Sequence, residues 1–158
     1  MRIEIWCQGA TAFSYIQVGI DIYHKRIQHY LPIDFVILND IKNAKSLDET
    51  AIKEKEAELQ LKKLLPNDIL ILLDERGKNY SSVDFSNFLE QMFNLSGSKR
   101  IVFLIGGAYG FSQKIYARAN HQWSLSKLTF SHQMVRLFVI EQIYRAISIQ
   151  KGLPYHHE

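Results

Sequence analysis

Two short runs, Ile69–Leu73 and Ile101–Ile105, contain no polar residue. A strand with one wet face alternates apolar and polar side chains, so uninterrupted apolar runs of this length read as inner strands of a parallel sheet, covered on both faces. Parallel neighbours need crossover connections, usually helical, and such connections do appear between the apolar runs. Phe13, Ile16, Ile20, Tyr23, Ile27 and Tyr30 recur at steps of three and four, lining one stripe of a long helix that Pro32 stops. Before it, Arg2–Cys7 alternates as a half-buried strand would, with Ile3, Ile5 and Cys7 on the inner face; after it, Ile33–Leu38 reads as a second strand and 39–46 as a polar loop.

A charge-laced helix follows between Leu47 and Leu65, with Ile52, Leu59 and Leu64 set among charges that read as a solvated face. Asp74–Lys78 forms the loop after the first apolar run, and Ser81 with Asp84 marks a capped helix whose apolar face carries Phe85, Phe88, Leu89, Met92 and Phe93. The second run leads into Gly106-Gly107-Ala108-Tyr109-Gly110, and Ser112 is placed to cap a short helix. Trp123–Ser126 reads as a last short strand. The final helix, from about Ser131 to Gln150, is apolar on nearly every side and predicts a homodimer interface, because one small domain seldom wraps a helix completely. The alternation predicts an α/β fold with a mostly parallel sheet, organised as a single domain over 1–158 without repeats or linkers.

Composition excludes more than it selects. The chain has 47% hydrophobic and 22% charged residues, an ordinary globular balance, and a net charge of +3 that permits an RNA partner without arguing for one. A single cysteine, Cys7, rules out an intrachain disulfide and a thiol-rich zinc site. The N-terminus lacks the apolar core of a secretory signal, and no apolar run reaches membrane-spanning length, so the reading is a cytoplasmic protein with no membrane partner.

Ligands of open α/β sheets bind beyond the carboxyl ends of strands, where Leu73 and Gly106 both sit. The glycine cluster is not a complete dinucleotide fingerprint, since Ile105 stands where its first glycine should be, and it reads equally as a ligand loop or a plain tight turn. Leu125-Ser126-Lys127-Leu128-Thr129-Phe130-Ser131-His132 mixes hydroxyls, a cation and a histidine, and reads as a loop with an N-cap at Thr129 or Ser131. His132 reads equally as a core histidine. Arg136 and Arg145 lie on a mostly apolar helix and must pair, with Glu141 the ordinary partner, reach water along their stems, or meet a phosphate or base. His156 and His157 alone make no metal site, and the tail by itself reads as a loose end. No nucleophile triad, paired carboxylates or zinc spacing stands out.

Taken in order, Leu73-Asp74 with Gly77-Lys78 and Ser81-Ser82, Phe103-Leu104-Ile105-Gly106-Gly107 with Gly110, Leu125-Ser126-Lys127-Leu128-Thr129-Phe130, Glu141-Gln142-Ile143-Tyr144-Arg145-Ala146 and Pro154-Tyr155-His156 form one set. Over essentially its whole length the chain resembles the ribosomal RNA large subunit methyltransferase H family, SPOUT enzymes that methylate N3 of a pseudouridine in 23S ribosomal RNA. It departs at Glu75-Arg76, where relatives vary, and at Ser131, where many carry proline. The resemblance implies a SPOUT α/β fold with a C-terminal trefoil knot, and a homodimer that builds each site from two subunits. It implies S-adenosylmethionine as cofactor, held by Leu73, Gly106, Leu125, Ser126, Lys127, Leu128, Thr129 and Phe130, largely through backbone groups and apolar walls. Arg145, Tyr155 and His156 would lie near the target nucleotide of the assembled ribosome, with no metal involved. On the residues alone two other classes stay open: a non-catalytic RNA- or nucleotide-binding α/β module, and a Rossmann-type nucleotide enzyme, which the incomplete glycine fingerprint disfavours.

Overall fold

The computed structural model describes residues 2–96 and 100–157. Five parallel strands, β1 (Arg2–Gln8), β2 (Ile33–Leu38), β3 (Ile69–Lys78), β4 (Arg100–Ile105) and β5 (His121–Trp123), form one sheet in the order β2-β1-β4-β3-β5. The five α-helices are α1 (Ser14–Gln28), α2 (Glu49–Lys63), α3 (Ser82–Ser96), α4 (Gln113–Arg118) and α5 (His132–Gln150). One sheet face carries Ile3, Ile5, Ile71, Ile101, Phe103 and their neighbours, packed against α1, α3 and α5. The opposite face carries Trp6, Leu70, Leu72, Val102 and Leu104 against α2 and α4. The two apolar runs thus supply β3 and β4 with side chains for both cores, as inner parallel strands require.

The strand β1 differs from its half-buried expectation. Every residue from Ile3 to Gln8 is buried, because β1 lies between β2 and β4 with helices over both faces. Its alternation separates two kinds of interior. Ile3, Ile5 and Cys7 enter the larger core, whereas Glu4 accepts hydrogen bonds from Trp6 Nε1 at 2.7 Å and Arg100 at 2.9 Å and also pairs with Arg2. A buried carboxylate is tolerated when its lone pairs are satisfied in this way.

Asp74–Lys78, expected as a loop, continues β3, which pairs with β5 from Ile71–His121 to Leu73–Trp123 and again, past an irregularity, at Lys78–Trp123. A Cβ on Gly77 would stand 2.6 Å from the Gln122 carbonyl carbon, so this close return needs glycine. The last strand is correspondingly His121–Trp123 rather than Trp123–Ser126. Ser81 caps α3 as expected, accepting from the Asp84 amide at 3.1 Å and donating to its carboxylate at 2.7 Å. Ser131 caps α5 through the Met134 amide at 3.2 Å, which decides between it and Thr129. Ser112 occupies the N-cap of α4 but its buried hydroxyl makes no capping bond.

The charged face of α2 is not wholly solvated. Glu56 is 8% exposed whereas Leu59 points outward, because α2 turns Ile52, Glu56, Ala57 and Gln60 inward. Arg136, 1% exposed on α5, does not pair with Glu141; it donates to the carbonyls of Gln8 and Gly9, at 2.8 and 3.0 Å, and to Thr11 Oγ1 at 3.1 Å. It thereby ties the carboxyl end of β1 to α5. Among the described residues, no helix is long and apolar enough to cross a membrane.

Candidate functional site

A cavity of about 760 Å³ opens beyond the carboxyl ends of β3, β4 and β5, where an α/β sheet is expected to hold a ligand. Its floor is Leu73, Ile105, Gly106 and Trp123. The glycine turn follows directly from β4 and closes through the Gly110 amide, which donates to the Gly107 carbonyl at 3.2 Å. Gly110 has φ +78°, a left-handed conformation that glycine adopts freely. A Cβ on Gly106 would sit 3.2 Å from the Phe111 ring and crowd the floor.

The opposite wall is the segment between β5 and α5. Side chains shape it locally: Asn79 Nδ2 donates to the Ser124 carbonyl at 2.9 Å, Ser124 Oγ to the Ser126 carbonyl at 2.9 Å, and the Leu128 amide to Ser126 Oγ at 3.0 Å. Phe130 stacks near Phe138 of α5 with ring centres 5.1 Å apart, and Leu128 is 72% exposed at the mouth. Of the residues singled out in the sequence, Leu73, Gly106, Leu125, Ser126, Leu128, Thr129 and Phe130 all line this cavity; Lys127 is exposed and does not line it. His132 also lines it and is exposed rather than a core histidine. Partial burial and the Arg136 charge lower its pKa, opposed by Asp40.

Three further lining residues form one cluster: Asp74 belongs to a motif of the resemblance and Arg76 to a departure from it, whereas Tyr116 carries no signal in the sequence pattern. Asp74 accepts from the Arg76 amide at 2.8 Å and from the Tyr116 hydroxyl, while the Arg76 guanidinium lies 5.2 Å over the Tyr116 ring and donates to its hydroxyl. Burial alone would raise the Asp74 pKa, but the hydrogen bonds from Tyr116 and Arg76 and the Arg76 charge hold it below the ordinary value. Beneath the glycine turn lies Glu56, whose carboxylate would meet a Cβ on Gly107 at 2.7 Å. Burial, with Asp40 adding to it, pushes the Glu56 carboxyl up to about 7.

The residues expected near a substrate form a separate cluster on the α1 and α5 side. None of Arg145, Tyr155 and His156 lines the cavity of its own chain. Glu141 gathers them, accepting from Arg145 Nε at 3.1 Å, Arg145 Nη2 at 2.7 Å and the Tyr155 hydroxyl at 3.1 Å. The Arg145 guanidinium stands 4.8 Å over the Tyr155 ring, and Arg145 Nη1 lies 3.4 Å from His156 Nδ1. A guanidinium only donates, so Nδ1 is the acceptor there. Tyr23 of α1 shares a hydroxyl contact of 2.9 Å with Tyr155, and burial together with these partners raises the Tyr155 pKa. The tail is therefore packed on the body rather than loose. Tyr23 entered the sequence reading only as one position of a helical stripe; nothing in a one-chain pattern could have paired it with residue 155.

Comparison with known proteins settles the family. The family model described as "Predicted SPOUT methyltransferase" matches residues 1–156. Proteins named ribosomal RNA large subunit methyltransferase H match across the whole chain. The one from Parabacteroides distasonis is 49% identical over 158 residues, covering 100% of both chains, and that from Flavobacterium psychrophilum is 52% identical with the same coverage. A third, from Christiangramia forsetii, is 49% identical over 99% of both.

The chain belongs to the SPOUT methyltransferase family. For this methyltransferase the all-parallel sheet is the expected α/β architecture, and the cavity lies where three of its strands end. Among its described residues no group of three or more His, Cys, Asp or Glu side chains is placed to hold a metal.

Proposed function

We propose that this protein methylates N3 of a pseudouridine in 23S ribosomal RNA, using S-adenosylmethionine and acting on the assembled ribosome in the cytoplasm. The observation that carries the reading is the cavity at the ends of β3, β4 and β5, walled by segments whose motifs carry the resemblance to the methyltransferase family. The residues fit the cofactor. The floor at Gly106 presents bare backbone, the walls at Leu73, Leu125 and Phe130 are apolar enough for adenine, and Asp74 and Tyr116 give the polar groups a place. The bound cofactor supplies an electrophilic methyl group, so the protein's task is alignment and removal of the N3 proton.

The substrate-facing residues lie outside their own chain's cavity, which supports a homodimer in which one subunit's tail covers the other's site. An apolar surface suited to this exists: Phe13 just before α1, Tyr15, Val18 and Ile22 on α1 and Phe138 on α5 are all exposed. The same reading carries the C-terminal knot of the SPOUT superfamily and treats 1–158 as one catalytic domain. In that arrangement Arg145 stabilises charge developing on the uracil oxygens, Tyr155 orients the base by stacking or hydrogen bonding, and His156 accepts the proton. Lys127, exposed beside the mouth, would contribute backbone rather than side chain to the cofactor.

The experiment is transfer of a labelled methyl group from S-adenosylmethionine to ribosomes lacking the modification, followed by nucleoside analysis. Label in N3-methylpseudouridine is the expected result. No label from folded protein, with a relative active in parallel, would favour a non-catalytic RNA- or nucleotide-binding module.

A further inference from the structure

The cavity has two chemically different ends. Ile105, Gly106, Phe130 and Val135 offer apolar side chains and bare backbone, whereas Asp74, Arg76 and Tyr116 cluster on the β3 and α4 side. Asp74 with Arg76 is the one salt bridge among the described cavity-lining residues.

Its two members are held unequally. The Asp74 side chain is 6% exposed and fixed by the Arg76 backbone amide and the Tyr116 hydroxyl. The Arg76 side chain is 69% exposed, and its guanidinium reaches Asp74 only through contacts of 3.3 and 3.4 Å, beyond the usual range for a charged pair. With one partner so exposed and the contacts so long, the charge pairing itself contributes little. The carboxylate is a fixed feature of the cavity; the guanidinium, on an exposed stem, is held mainly by the Tyr116 ring and hydroxyl.

We propose that Asp74 and Arg76 form the subsite for the amino-acid end of S-adenosylmethionine, Asp74 taking the α-ammonium and Arg76 the α-carboxylate. The inference rests on the cofactor reading above and adds which residues recognise the zwitterion. A zwitterion needs two opposite charges side by side, and this cavity has one such pair. Binding exchanges partners without changing net charge: the ammonium replaces the guanidinium on Asp74, and the guanidinium turns to the ligand's carboxylate, which its planar fork suits. Asp74 need not move, since the Arg76 amide and Tyr116 hydroxyl keep their bonds to it. Tyr116 is then a positioning residue, acting through Asp74.

Calorimetry on the full-length protein tests this with three probes. S-Adenosylmethionine carries the whole zwitterion, its decarboxylated form keeps the ammonium alone, and methylthioadenosine has neither. Asp74→Asn is expected to weaken S-adenosylmethionine on the order of tenfold or more while methylthioadenosine stays within about twofold, because only a charged hydrogen bond is lost. Arg76→Ala, at an exposed side chain, is expected to weaken S-adenosylmethionine but not its decarboxylated form. Equal losses for S-adenosylmethionine and methylthioadenosine, or no loss in either variant, overturn the subsite while leaving the cofactor reading intact. Wild-type protein that binds none of the probes overturns the cofactor reading and the subsite with it.

Discussion

Glu56 gives the protein a specific dependence of stability on pH. The side chain is 8% exposed beneath the glycine turn, and burial first, then Asp40, raises its carboxyl from 4.5 to about 7. Unfolding returns it to the ordinary value, so between about 4.5 and 7 the folded state binds the extra proton and stability falls as pH rises. Above the folded value both states are ionised and the penalty is constant; below the unfolded value both are protonated and it vanishes. At about 1.4 kcal/mol per pKa unit the full shift corresponds to roughly 3 kcal/mol, and partial solvation of the carboxyl reduces this to about 1–2 kcal/mol. Glu56→Gln keeps the shape and removes the titration. Urea denaturation of both proteins across pH 5 to 8 reads the difference, in which all groups common to the two cancel. The variant is expected to be about 1–2 kcal/mol more stable than wild type at pH 8, an advantage that falls to roughly half at pH 5 and continues toward zero below the unfolded value. A difference that does not change with pH would refute the reasoning, since it would show that Glu56 ionises as freely folded as unfolded.

Other consequences can be checked directly. Gly77→Ala would place a methyl group 2.6 Å from the Gln122 backbone and is expected to cost about 3 kcal/mol or more, read as a lowered thermal midpoint, because backbone on both sides cannot yield. Tyr23→Phe is expected to slow methyl transfer modestly, and to have no further effect in a Tyr155→Phe background, since its hydrogen bond with the tail joins the two hydroxyls; additive losses would separate Tyr23 from the tail. On the proposed homodimer, Val18→Glu, at a 59% exposed position on α1, is expected to give monomers by light scattering while circular dichroism shows the subunit still folded; an unchanged mass would move the interface elsewhere.

Much of the fold was legible because periodicity reports burial. The apolar runs located β3 and β4, the stripe from Ile16 to Ile27 located α1, and Ser81 and Ser131 marked helix starts through chemistry confined to a few residues. Periodicity failed where burial came from a distant element. Alternation in β1 could not show that its second face also lies under helices, and the charge pattern of α2 could not show that Glu56 turns inward while Leu59 turns out. Asp74–Lys78 looked like a loop because its polar composition hid a second pairing with β5, made possible by Gly77.

The division at the site has the same physical origin. Motifs contiguous in the chain carry their own local hydrogen bonds, so the sequence by itself set the glycine turn at a strand end, where it read equally as a ligand loop or a tight turn, whereas 125–130 read as a loop and gained a ligand role only through the family resemblance. Only the tertiary structure brought Tyr116 to Asp74, Tyr23 to Tyr155 and Arg136 to the carbonyls of Gln8 and Gly9. Each of those contacts joins residues far apart in the chain through one or a few hydrogen bonds, and such isolated long-range bonds leave no periodic trace in sequence; their existence depends on how the sheet orders its strands and where the helices cross them.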